Sequence, residues 1–496
     1  MTAPFETAAA MDASRARVAL VLGPALALLV WALPLPGLAP EAHRLAAVMA
    51  LVITWWIGEP VPPAVTALLG PTLALLVGAV PLPAGARPAE AVQLAYRGFG
   101  DPILMLFMGG FFIAEALTVH GLDRRFAMRL LSTRMFGASP TRAIAGLGVV
   151  ACLLSMWVSN TATTALLIPI ARGMLALLRG QTPGKLDAAC MLMLPFAATV
   201  GGLGTPVGTA PNMIGIARLR DAGHEVSFFR WMSLAVPLVA VMMVALIALL
   251  TRGLPRQETG LQAHARDELA RLGPWKRGER VTAVAFALAV TGWIGTGVVQ
   301  LLGGPDEQRW IASHLPEGAI GLLASSLLFF LPCEPGRPTL RWSEAMRIDW
   351  GTLLLLGGGL SLGTLVDRTG LAQAIGVGVV QGLGVSSTWA LVAISAALAI
   401  TLSEVGSNTA TATLLVPTVI GISREAGVSP LPPALAATMA CSFGFMLPVS
   451  TPPNALAYAT GLVPITTMVR RGVAFDVIGL LLVAGGMRVL WPLLGW

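Results

Sequence analysis

Two polar blocks occur twice in this chain, in the same order. Ser159-Asn160-Thr161-Ala162-Thr163 returns as Ser407-Asn408-Thr409-Ala410-Thr411, and each copy runs on through apolar residues to a proline, Pro169 or Pro417. Pro206-Val207-Gly208-Thr209-Ala210-Pro211-Asn212 returns as Pro448-Val449-Ser450-Thr451-Pro452-Pro453-Asn454. These residues offer neutral oxygens. Some are hydroxyls and amides; others are backbone carbonyls freed where a downstream proline withholds its donor. Hard cations accept such oxygens. A helix N-terminus beyond a break presents N–H groups to a carboxylate. One tip can therefore hold a cation on one side and an anionic group on the other. Thr209, Asn212, Thr451 and Asn454 add side-chain oxygens at the second block.

The elements that must position these blocks are apolar. Ala143 to Ala171 carries no charge, and it is long enough for two short helices meeting at a break near Ser159, as in a re-entrant hairpin. Backbone that leaves the helix at membrane depth must be satisfied by protein, water or a ligand, and Ser and Asn favour such breaks because their side chains bond freed backbone groups. Gly204, Pro206, Gly208 and Pro211 cannot share one regular helix, nor can Pro448, Pro452 and Pro453. A third block precedes both: Leu104, Gly109-Gly110 and Gly121-Leu122 pair with Leu353, Gly358-Gly359 and Gly370-Leu371. Three blocks in register across about half the chain point to a duplication. Single Ser, Thr or Gly residues in membrane helices are commonly packing residues; duplicated polar breaks point to a site between two repeats.

The surroundings agree. The 496 residues are 55% hydrophobic and 11% charged, with a mean hydropathy of +0.78, whereas soluble chains carry about 25% charged residues. Spanning-length apolar stretches recur, and Val18 to Pro40 reads as a retained first span rather than a cleaved leader. The net charge of +7 lies in loops and fits positive-inside topology rather than nucleic-acid binding. Arg124, Arg125, Arg129, Arg134 and Arg142 mark one cytoplasmic stretch, and Arg252 through Arg280 another; the Gly303–Pro316 segment reads as an outside loop and Arg218–Arg230 as a short mixed one. Tracing spans on this basis puts the N-terminus in the cytoplasm and inverts the two halves. Asp123 to Phe136 reads as a basic amphipathic helix at the interface; its counterpart Leu371 to Leu383 has no charge.

Other chemistries find little support. His43, His120, His224, His264 and His314 are scattered, and Cys152, Cys190, Cys333 and Cys441 lack metal-type spacing. Gly146-x-Gly148-x-x-Ala151 lies in an apolar span with no strand before it, so it is no dinucleotide motif. No catalytic constellation appears, which argues against an enzyme. A channel also uses broken helices and differs in not saturating at low flux. Proton coupling wants a titratable acid at the site. Glu404 stands beside the second tip, but Met156 occupies the matching place in the first, which favours a metal cation. No arginine reads as lying deep in a span.

With these motifs the chain resembles the divalent anion/sodium symporter family, the sodium-coupled carriers of dicarboxylates, citrate and sulfate. The resemblance covers nearly the whole chain. It implies an all-α polytopic inner-membrane protein of about eleven spans plus two re-entrant hairpins in an inverted repeat. It also implies a homodimer in which a transport domain slides as an elevator against a scaffold. By position, a first sodium site resembles Ser155, Ser159, Asn160 and the Gly208 carbonyl, and a second resembles Ser403, Ser407, Asn408 and the Ser450 carbonyl. The substrate carboxylates would meet Asn160, Thr161, Thr209, Asn408, Thr409 and Thr451. The implied organisation is scaffold spans at 1–100 and 281–349, and a first repeat at 101–251 with its hairpin at 143–180 and broken span at 188–217. A linker at 252–280 leads to a second repeat at 350–470, with hairpin 386–426 and broken span 432–460, and a last span at 471–496. The expected activity is sodium-coupled uptake of C4-dicarboxylates, with at least two sodium ions per protomer. Dicarboxylate exchange without sodium, or carriage of citrate or sulfate, is open on the same residues.

Overall fold

The computed structural model describes residues 3–82, 85, 87–137, 139–177, 184–254, 261–383 and 387–494. The expected ends of the first hairpin (178–180) and the start of the second (386) lie outside them. Nearly all of the chain is helical. Among the described residues the strands form one small antiparallel pair, Pro332–Glu334 with Arg337–Pro338. Among the described residues seven helices are long and apolar enough to cross a membrane, or eight if the pair Pro305–His314 and Glu317–Phe330, bent by 51°, counts as one span. Large apolar side chains such as Leu28, Leu302, Leu398 and Leu481 stand exposed on these helices, as lipid contact requires. The segment read as an outside loop forms the helix Pro305–His314 instead, because Glu307 caps the backbone N–H of Gly304 at 3.0 Å.

The duplication is visible in local geometry. Gly121 and Gly370 both take positive φ, at 67° and 79°, a region open to glycine without steric cost. Each turns a spanning helix, Pro102–Val119 or Trp350–Arg368, into a shorter one, Leu122–Leu131 or Leu371–Leu383. Both glycine pairs mark close helix approach. A Cβ on Gly109 would run into the Gly321 backbone, and one on Gly358 into that of Ala67.

The chain forms two compact units. One holds residues 1–104, 214–225 and 349–441; the other holds 105–213, 226–348 and 442–496. In the first, the second hairpin (Thr388–Val405 and Asn408–Glu425) packs with Leu431–Ala440, and Trp350–Arg368 packs on Pro63–Leu76. Arg218 departs from the loop reading. It lies in the helix Ala210–Asp221, is 1% exposed, donates to the Gly359 carbonyl at 2.6 Å and pairs with Asp221 at 3.3 Å. Gly363 makes room for its guanidinium, where a Cβ would collide. Spacing alone could not reveal this, since the residue lies next to polar neighbours in the chain and is buried only by other helices.

In the second unit the first hairpin (Pro140–Ser155 and Asn160–Leu177) packs with the helix Lys185–Gly202. The amphipathic helix Leu122–Leu131 turns Arg125 inward, where its guanidinium bonds Glu279 at 2.8 Å and the carbonyls of Gly273 and Leu272. Both partners of this ion pair are buried. Removing one leaves the other charge uncompensated, which costs about 3–5 kcal/mol. Arg125→Met should therefore lower the melting temperature sharply, and Arg125→Met with Glu279→Gln should recover most of the loss, as read by thermal unfolding in detergent.

Asp123 on the same helix is 5% exposed. Burial raises its carboxyl above the usual carboxylate range, against bonds from the Arg124 backbone N–H and the Thr118 hydroxyl that pull it down. A folded-state value above the unfolded one makes the ionised form destabilising at neutral pH, and that penalty fades as pH falls through the folded value. Asp123→Asn should raise the melting temperature at pH 7.5 and lose this advantage toward pH 4.

Candidate functional site

The first tip assembles within the second unit. Pro140–Ser155 begins under a Ser139 cap and stops four residues short of Asn160. Ser159 is the N-cap of the return helix: its Oγ accepts from the Ala162 N–H at 3.2 Å and its carbonyl from the Thr163 N–H at 3.0 Å. Ser155, fully buried, donates its hydroxyl to Asn160 Oδ1 at 2.6 Å. The amide oxygen is thereby fixed, while the lone pairs of Ser155 Oγ stay available. Trp157 holds the turn in place. Its ring stacks on Phe228 and Trp293 and meets Phe286 edge-on at 5.0 Å.

The first break faces this tip. Lys185–Gly202 ends, a single 3-10 turn spans Pro206–Gly208, and a new helix starts at Ala210. Asn212, fully buried, donates to the carbonyls of Gly202 at 2.9 Å and Thr205 at 2.8 Å. The Thr205 hydroxyl donates to the Met156 carbonyl, and Trp231 Nε1 to that of Leu203 at 2.9 Å. Gly202 is the meeting point. A Cβ there would lie 2.7 Å from Asn160 Oδ1 and 3.3 Å from the Gly208 carbonyl oxygen. Two of the expected cation ligands thus converge on one glycine. Ser155 and Gly208 are buried behind, Asn160, Thr161 and Thr209 are half-buried, and Ser159 is exposed.

The second set of residues falls in both units. In the first unit Ser407 caps Asn408–Glu425, with its carbonyl accepting from the Thr411 N–H at 2.9 Å. Ser403, fully buried, donates to the Cys441 carbonyl at 2.6 Å, so the Ser155–Asn160 bond has a different counterpart here. Thr409 presents its carbonyl to the Thr413 hydroxyl at 2.9 Å, and Glu404 is buried beside the tip. In the second unit Thr451 caps the helix Pro452–Ala459, its Oγ accepting from the Asn454 N–H at 3.4 Å. Ser450 precedes it, its N–H donating to the Leu447 carbonyl at 3.3 Å. Asn454 repeats the role of Asn212. It donates to the carbonyls ten and seven residues behind it, Gly444 at 2.7 Å and Leu447 at 3.1 Å, the same offsets as Asn212. Phe445, in this break, packs on Phe196 of the first broken span and on Phe475.

Among the described residues no three His, Cys, Asp or Glu side chains cluster at metal-binding distance. The first tip is a set of neutral oxygens at a helix N-terminus, suited to a weakly held hard cation next to an anion. Sequence reading missed Trp157, Trp231, Thr205 and Gly202. Only the aromatic and glycine neighbours of the breaks could have signalled them.

The family pattern described as the sodium:sulfate symporter transmembrane region matches residues 14–496. The chain belongs to this family. It is similar to the sodium-dependent dicarboxylate transporter SdcS of Staphylococcus saprophyticus, 34% identical over 92% of this chain and 87% of that protein. The SdcS of Staphylococcus aureus is 33% identical over 94% and 89%. Among solved structures, the fold is similar to that of the Alcanivorax borkumensis YdaH transporter. That match has TM-score 0.55 and 17% identity, covering 88% of this chain and 99% of that one. Neisseria gonorrhoeae MtrF matches at 0.56 and 14% identity, covering 88% and 96%.

Gly202→Ala tests the convergence. The added methyl would displace Asn160 Oδ1 or the Gly208 carbonyl while keeping helix propensity. The sodium concentration for half-maximal binding should rise about tenfold, equivalent to ~1.4 kcal/mol, with little change in melting temperature without sodium.

Proposed function

We propose that the protein is a secondary transporter that carries C4-dicarboxylates of the succinate, malate and fumarate class into the cell by symport with sodium. The observation that carries this reading is the convergence of Asn160 Oδ1 and the Gly208 carbonyl on Gly202, with the N-terminus of Asn160–Leu177 beside it. Relatives at about one-third identity are named sodium-dependent dicarboxylate transporters, which supports both the ion and the anion.

In this reading one sodium takes oxygens of Ser155, Ser159, Asn160 and the Gly208 carbonyl, and a second takes those of Ser403, Ser407, Asn408 and the Ser450 carbonyl. Sodium binds first and draws each tip into order. The dianion then meets Asn160, Thr161 and Thr209 from one repeat and Asn408, Thr409 and Thr451 from the other. The Ser159 and Thr451 hydroxyls accept from backbone N–H groups, which leaves their protons to donate. The loaded site carries little net charge and crosses the membrane as an elevator in a transport domain, about eleven spans and two hairpins making up each protomer of a homodimer. Moving the dianion without its cations through a low-dielectric path would be far more costly. Coupling needs no chemistry, only different affinities in the two states. The basic loops support an N-terminus in the cytoplasm, in this reading with the protein in the bacterial inner membrane.

Uptake of labelled succinate into proteoliposomes of the purified protein tests this. The vesicles carry an inward sodium gradient, potassium alone, or potassium with succinate preloaded. Accumulation should require sodium and fall at least tenfold, ~1.4 kcal/mol or more, in Asn160→Ala and in Asn408→Ala. Uptake confined to preloaded vesicles and indifferent to sodium would make the protein an exchanger. Failure with succinate and success with citrate or sulfate would change the substrate and keep the site.

A further inference from the structure

Gly173 is a helix-interior glycine that no packing explains. Around the first hairpin glycine otherwise marks close approach: a Cβ on Gly146 would run into Phe136, one on Gly148 into Met193, and one on Gly201 into the Cys152 backbone. A Cβ on Gly173 meets nothing within 4 Å. Glycine weakens a helix relative to alanine, so space is kept open here at the expense of stability. The space is a cavity of about 410 Å³, within the range of small-molecule sites, ~300–1,000 Å³.

Its walls are apolar and its rim is charged. Ala165, Pro169 and Gly173 line one side; they are four residues apart and so share one face of Asn160–Leu177. Leu131, Phe136 and Leu147 line the cavity from neighbouring helices. At the rim Arg124 pairs with Glu268 at 3.0 Å, and Glu268 also takes Arg271 at 2.7 Å. Glu268 thus carries two guanidiniums, of which Arg124 lines the cavity, and Arg129 stands exposed on the helix that carries Arg124, so these basic residues around the rim outnumber its carboxylate. That helix follows the span Pro102–Val119 directly through Gly121, which puts the rim where lipid headgroups begin. Phe126, exposed on it, suits the same depth.

We propose that this cavity binds an anionic phospholipid, one acyl chain lying along Ala165, Pro169 and Gly173 and the headgroup phosphate resting on Arg124. An apolar slot with a cationic rim at the membrane interface matches an anionic amphiphile, and guanidinium–phosphate bonds are charge-assisted. The bound chain would brace the helix that bears Asn160 at its N-terminus, which links lipid composition to the first tip. The binding itself stands whether or not the transport reading holds.

The test is thermal unfolding of the full-length, delipidated protein in detergent, with phosphatidylglycerol or phosphatidylcholine of the same acyl chains added. Phosphatidylglycerol should raise the melting temperature by several degrees more than phosphatidylcholine. Gly173→Trp, which fills the slot, and Arg124→Glu, which reverses the rim charge, should each remove that excess. Should Gly173→Trp not fold, Gly173→Leu takes its place. Equal shifts for the two lipids in the unaltered protein overturn the proposal. So does an excess for phosphatidylglycerol that survives either substitution.

Discussion

A helix that stops inside an apolar span leaves backbone donors and acceptors with no intrahelical partner, and lipid cannot supply one. The rest of this molecule depends on how that demand is met. Asn212 and Asn454 meet it in the same way, each amide bridging two carbonyls on the far side of its own break. Fully buried, each makes the break a rigid turn instead of a frayed end. Asn212 takes up the carbonyls of Gly202 and Thr205, and Thr205 takes up that of Met156, while the Gly208 carbonyl oxygen lies beside Gly202 and the Asn160 side chain.

Packing then sets the tip. Gly202 allows the Asn160 side chain and the Gly208 backbone to approach from two directions, and any side chain there would part them. Trp157 and Trp231, both in contact with the aromatic side of the second unit or with the break itself, keep the turn from moving sideways. The two tips are alike in sequence and differ in bonding. Ser155 is committed to Asn160, whereas Ser403 is committed to the Cys441 carbonyl. The same serine position is therefore bonded within its own tip in one copy and to a neighbouring helix end in the other.

Two buried guanidiniums are bonded near helix ends. Arg125 and Glu279 join the interfacial helix to the start of Arg277–Leu302, and Arg218 satisfies the Gly359 carbonyl in the other unit. The buried ion pair adds little net stability by itself, since desolvation offsets attraction. Each guanidinium makes one arrangement far better than its alternatives, because any slip would strand a buried charge.

Much of this was legible in the residues alone. Apolar stretches dictate membrane helices because lipid admits little else, and prolines and glycines dictate breaks because they lack a donor or a side chain. The repeated Ser-Asn-Thr blocks therefore located both tips, and the repeated glycines both turns, since each of these follows from local backbone chemistry. What only the tertiary structure decided is which oxygens meet. Gly202, Thr205 and Trp231 lie far along the chain from Asn160 and carry no local sign of their roles, and Arg218 looks like a loop residue until other helices bury it. Burial and convergence depend on what the rest of the chain packs against, and no local pattern encodes that.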